Sequence, residues 1–207
     1  MQVRSESFED GQRIPAPFAF CKSGDPVAPS DNRSPHLAWQ GAPSATRSFV
    51  LTCIDPDVPS RGDDVNQIGR TVPADLPRVE FVHWLMANIP RECVELAAGA
   101  CCDGITARGK REPIGPPGSV QGLNDYTGWF SGDPDMAGQY LGYDGPCPPW
   151  NDALLHHYHF RIHALDVAAL PLANGFTLAD LRAAMDGHVL GEGQLVGTYS
   201  LNPSVAG

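Results

Sequence analysis

The chain is short of positive charge. Its 207 residues hold 14 Lys and Arg against 24 Asp and Glu, for a formal net charge of −10. The densest basic patch is only Arg108-Gly109-Lys110-Arg111. A nucleic-acid surface needs clustered cations to neutralise phosphates, so nucleic acid is not expected as a partner. An anionic membrane face is disfavoured for the same reason, although one lipid headgroup could occupy a local site. Long apolar runs are missing too. No segment approaches the roughly 20 residues of a transmembrane helix. Residues 1–10 lack the apolar h-region of a secretory signal. Charged residues of both signs make up 18%, too few for a disordered or coiled-coil chain. The six cysteines, at 21, 53, 93, 101, 102 and 147, include no Cys-x-x-Cys pair. Without an export signal they are expected to be reduced thiols in the cytosol. No cofactor signature is present.

What the chain does have is 42% hydrophobic residues, with 22 Gly and 20 Pro scattered among the apolar runs. That pattern predicts turns in a β-rich chain. The length fits a single domain over 1–207, with loop excursions at about 60–78 and 91–142. Residues 48–55 and 79–89 are the clearest strands. In the second, strict alternation puts His83 on one face with Val79, Phe81, Leu85, Ala87 and Ile89, and Val82, Trp84 and Met86 on the other. A strand apolar on both faces is covered on both sides. Residues 155–166 alternate well, with His156, Tyr158, Phe160, Ile162 and Ala164 facing inward. His157, His159, Arg161 and His163 form an opposite face expected to be solvated, and no metal site is expected there. Thr177-Leu178-Ala179-Asp180 starts a helix in the manner of a capping box, and Gln194–Ser200 is the last strand. The expected class is mainly β: an antiparallel two-sheet β-sandwich with few peripheral helices and long loops.

Polar groups interrupt the apolar strands at three places. Asp55-Pro56-Asp57-Val58-Pro59 follows the run Phe49–Ile54 and delivers two carboxylates in a turn stiffened by two prolines. His83-Trp84 sits within the second strand, and His156-His157-Tyr158 opens the third. The rigid segment Tyr143-Asp144-Gly145-Pro146-Cys147-Pro148-Pro149 lies just before it. Asp57 either faces a ligand or caps backbone amides. Cys147 is expected to be a small packing residue rather than a reactive thiol. Trp129-Phe130 is either a rim over the site, a partner contact, or buried beneath its loop.

These pieces resemble the phosphatidylethanolamine-binding protein family, also called Raf kinase inhibitor-like proteins. The resemblance rests on Asp55-Pro-Asp57-Val-Pro59-Ser60-Arg61, His83-Trp84-Leu-Met-Ala-Asn88-Ile-Pro90, Gly145-Pro-Cys-Pro148-Pro149 and His156-His-Tyr158. The tail Met185–Tyr199 is similar to the bacterial branch. The order of the pieces is the family's order. The resemblance implies a two-sheet β fold with a small anion pocket for phosphate or a phosphorylated headgroup. It places Asp55, His83, Pro149, His156 and Tyr158 in that pocket and Asp57 and Pro59 on the adjoining turn; Gly145 and Pro148, from the matching proline-rich segment, are expected to bind ligand with them. It also implies a kinase or protease as a regulated partner, and a homodimer. The family often has His-Arg-Tyr where this chain has His156-His157-Tyr158, which removes a permanent cation. The C-terminal helix of mammalian members is not expected after Tyr199.

Two carboxylates should repel phosphate. A histidine protonated by pairing with Asp55 resolves this, with hydrogen bonds from Tyr158 and from backbone N–H groups near Gly145. The function expected is therefore a non-catalytic, cytoplasmic binding protein for phosphate-bearing ligands. The alternatives are a hydrolase using Asp55 with His83 or His156 as acid and base, for which Cys147 is the only nucleophile in view, and a scaffold that binds proteins through its long loops.

Overall fold

The apolar run Phe49–Ile54 forms the middle of the molecule, because a strand apolar on both sides is stable only when both sides are covered. The computed structural model describes residues 1–205. The strands among them are β1 (Gln2–Arg4), β2 (Cys21–Ser23), β3 (Val27–Pro29), β4 (Leu37–Gln40), β5 (Ser48–Pro59), β6 (Arg78–Pro90), β7 (Glu95–Leu96), β8 (Val120–Gln121), β9 (His156–Leu165) and β10 (Val189–Tyr199). The α-helices are α1 (Tyr126–Trp129) and α2 (Leu178–Met185). One antiparallel sheet has the order β10-β9-β5-β6-β8, a second has β1-β4-β7, and β2 and β3 pair separately. The chain is thus mainly β, with few helices.

Two apolar layers cover the large sheet. On one side Val3, Leu37, Trp39 and Leu96 from the small sheet pack with Phe49, Trp84, Met86, Phe160 and Ile162. On the other side Leu181 and Phe176 cover Val50, Val82, Leu85 and Leu165. Helix α2 starts on the expected capping box, in which Thr177 and Asp180 satisfy each other's backbone N–H groups. Among the described residues no helix is long and apolar enough to cross a membrane.

Strict alternation fails in β6. Cys53 lies opposite Trp84, but Ile54 lies opposite Val82, so His83 is an extra residue in the ladder. A bulge of this kind re-aims the side chain beside it. His83 and Trp84 therefore both enter the layer between the sheets, where their rings lie 5.0 Å from Tyr158 and 5.2 Å from Tyr143. Leu85 and Ala87 go to the opposite layer, away from His83. A second register shift lies farther along β6. There Asn88 adopts a left-handed φ of 59°, and its side chain is anchored to both backbone groups of Leu170.

The acidic segment also differs from expectation. It is not a turn after the strand, since β5 continues through a register break to Pro59. Neither excursion is unattached. Asn151 accepts from Asn66 N and donates to the carbonyls of Asp64 and Arg70, which pins the 60–78 segment. The 91–142 segment contributes β7, β8 and α1. The cysteines need the largest correction. Cys21 and Cys147 form a disulfide, while Cys53, Cys93, Cys101 and Cys102 are free. The expectation of six reduced thiols fails at this pair, so the cysteines no longer point to a cytosolic location.

Candidate functional site

Three strands of the large sheet bring their polar residues to one place. Asp55 comes from the end of β5, His83 from the bulge in β6, and His156 and Tyr158 from the start of β9. They line a cavity of about 280 Å³ together with Pro59, Pro148 and Pro149. Cys147 and Tyr126 complete the inner wall, while Ser60 and Arg61 also line the cavity. Trp129 lines it and is 56% exposed, so it takes the rim position. Phe130 is packed beneath, stacked on Tyr126.

The charged groups form a chain. His156 Nδ1 lies 2.7 Å from Asp55 Oδ2 and its Nε2 lies 3.1 Å from Asp152 Oδ2. A carboxylate accepts only, so both ring nitrogens carry hydrogen and the ring is an imidazolium. Burial pulls its pKa down, but hydrogen bonds and charge from Asp152 and Asp55 outweigh burial and raise it to about 9. Asp152 in turn receives a bidentate hydrogen bond from Arg78, at 2.6 and 3.0 Å. Burial opposes its ionised form, yet His156 and Arg78 hold its pKa below the usual carboxylate value. Two cations and two carboxylates alternate, and their formal charges cancel.

His83 is held differently. Its Nδ1 donates to the Asp144 carbonyl at 2.8 Å, and Asp144 N donates back to the His83 carbonyl at 3.0 Å. The Asp144 carboxylate accepts from Lys110, Asn32 and Asn124, each at 2.8 Å. This buried network fixes the ring, and Nε2 has no partner among the described residues. Burial lowers the pKa of His83 against the opposing influence of Asp55, so the ring is neutral and Nε2 presents a lone pair. Burial and the nearby Asp55 charge push the Tyr158 hydroxyl well above its usual range, which keeps it protonated as a donor.

Two expected site residues fall outside the cavity lining. Asp57 Oδ2 accepts from His157 N and lies 2.8 Å from His157 Nδ1, on the outer face of the sheet. Its N–H donates to Asp55 Oδ1 at 2.8 Å, so it braces Asp55. Gly145 N donates to Asn32 Oδ1 at 2.9 Å, and its carbonyl accepts from the Tyr126 hydroxyl at 2.7 Å. Its N–H is therefore committed elsewhere. The Cys147 amide, also on the wall, has no acceptor among the described residues. On the outer face, His159 Nδ1 lies 3.1 Å from Gln194 Oε1.

Asp152, Arg78, Asp144 and Lys110 were not visible as site residues in the sequence. Asp152 does stand four positions before His156, but in a turn without periodicity such a spacing carries no geometry. Arg78 opens β6 at the end of the first excursion and Lys110 sits within the second, and only tertiary structure brings them to their carboxylates.

The family profile described as phosphatidylethanolamine-binding protein matches residues 4–200. A UPF0098 protein of Methanothermobacter thermautotrophicus is 34% identical over 199 residues, spanning 96% of this chain and 98% of its own length. The crystal structure of Escherichia coli YbcL, described as a new member of the mammalian PEBP family, superposes with a TM-score of 0.69 at 26% identity and covers 96% of this chain and 97% of its own. The structure of CT736 from Chlamydia trachomatis gives a TM-score of 0.65 at 29% identity, covering 96% of each chain.

Proposed function

This chain belongs to the phosphatidylethanolamine-binding protein family, and on that premise we propose that it is a non-catalytic binding protein whose cavity takes a small oxyanion. The ligand is the phosphate of a headgroup, a nucleotide or a phosphopeptide. The observation that carries this reading is the imidazolium of His156, clamped between Asp55 and Asp152 at the cavity wall. The clamp cancels the two carboxylates that would repel an anion, while Tyr158 and the Cys147 amide supply donors.

Hydrolysis is less well supported. The thiol that a nucleophilic mechanism needs at Cys147 is joined to Cys21, and Asp55 is committed to His156 rather than free to act as a base. A regulated kinase or protease and a homodimer belong to the proposal through the family alone.

Asp55→Asn tests the reading. The substitution leaves His156 short of one carboxylate, and loss of a buried charge partner costs at least about tenfold in affinity. Calorimetric titration of inorganic phosphate at mildly acidic pH is expected to show weak or no binding to the variant and clear binding to the wild type. Equal affinities would refute the role given to Asp55.

A further inference from the structure

The donors and acceptors in the cavity are not balanced for a fully ionised phosphate. His156 spends both N–H groups on Asp55 and Asp152. The Tyr126 hydroxyl is spent on the Gly145 carbonyl. What remains on the inner wall is the Tyr158 hydroxyl beside Asp55, the Cys147 N–H, the Asp55 carboxylate and the bare Nε2 of His83, with Ser60 and Arg61 also lining the cavity. A dianion seated against the inner wall would place its oxygens beside a lone pair and a carboxylate, with the Tyr158 hydroxyl and the Cys147 N–H as the neighbouring donors; the Arg61 guanidinium, which also lines the cavity, is 71% exposed and lies 3.7 Å from Asp63. A buried acceptor facing an acceptor costs the desolvation of both.

We infer that the oxyanion is bound together with one proton, shared between His83 Nε2 and a ligand oxygen. This rests on the reading of the cavity as an oxyanion pocket, and it narrows the ligand class to oxyanions that bring or take up a proton. The surroundings of His83 favour such a proton once an anion is present. Asp55 on β5, Asp125 and Tyr126 at the start of α1, Tyr158 on β9 and Asp144 before β9 all face or flank the ring. The Asp144 carbonyl fixes Nδ1 as the protonated nitrogen, so the added proton has one place to go. In the free protein burial keeps the ring neutral. An incoming negative charge reverses that balance, since a nearby opposite charge stabilises the imidazolium. The same Lys110–Asp144 network makes the ring rigid, so it cannot rotate to offer Nδ1–H instead.

The test is calorimetric titration of methyl phosphate at about pH 6 and about pH 8, each in two buffers of different protonation enthalpy. The second ionisation of a phosphomonoester lies near pH 6, so at the higher pH the free ligand is a dianion. Uptake of about one proton per ligand is expected at about pH 8, with affinity falling about tenfold per pH unit above neutrality. His156 keeps its proton through this range, because its pKa is about 9, and does not contribute. In His83→Gln a side-chain amide donates at every pH, so proton uptake should vanish and the affinity slope flatten. If that variant fails to fold, the wild-type proton count alone decides. Binding at both pH values with no uptake would overturn this inference and leave the oxyanion pocket standing. No binding at either pH would remove both.

Discussion

At the scale of single residues, His156 is the group on which the site turns, and its charge has a cost that depends on pH. Its folded pKa, about 9, lies above the ordinary histidine value. Stability gained from that pairing is therefore fully present below about pH 6.5 and is lost as pH rises through about 9. The melting temperature is expected to fall steadily between about pH 7 and about pH 9.5. Asp152→Asn should lower stability by about 3 kcal/mol or more, because Arg78 and His156 lose their shared buried carboxylate. It should also remove much of that alkaline slope. Urea unfolding across the same pH range checks both, and a variant with wild-type slope would contradict the assignment. Asp55, His83, His156 and Tyr158 were legible in the sequence because polar groups inside apolar strands stand out. Asp152 and Arg78 were not, since each lies where no period marks which way a side chain points. Asp57 was legible as a residue but not as a brace for Asp55, which depends on a two-residue backbone contact.

At the scale of elements, β9 and α2 were fully readable, because alternation and a capping box are local signals. The β6 strand was readable as a strand but not in its facing. One bulge at His83 transfers Trp84 to the same side, and nothing in the period of the sequence marks an added residue. The disulfide was equally hidden, since spacing alone does not show which cysteines meet. Cys147 forms part of the cavity wall and Cys21 opens β2, so the bond ties the wall to a separate hairpin. It closes a loop of 126 residues. Reduction is expected to cost roughly 2–5 kcal/mol of stability and to weaken oxyanion binding, as the 146–149 segment loses its covalent tie. Denaturant titration and phosphate binding with and without a thiol reductant check this. Unchanged affinity after complete reduction would show that the wall holds its shape without the bond.

At the scale of the whole molecule, an acidic chain with a net charge of −10 holds the pocket proposed for an anion. The resolution is local: formal charges cancel along Arg78, Asp152, His156 and Asp55, so the cavity does not share the sign of the surface. Mainly β architecture and family were legible from the order of four motifs across the chain. The attachments of the excursions were not, because Asn151 and Lys110 act through contacts with distant segments. The most direct measurement is a ¹H–¹⁵N correlation of the imidazole nitrogens while methyl phosphate is added at about pH 7.5. His83 Nε2 is expected to move from a lone-pair to an N–H chemical shift, while both nitrogens of His156 stay protonated throughout. A saturating ligand that leaves His83 Nε2 unprotonated, or a His156 that begins neutral, would contradict this expectation.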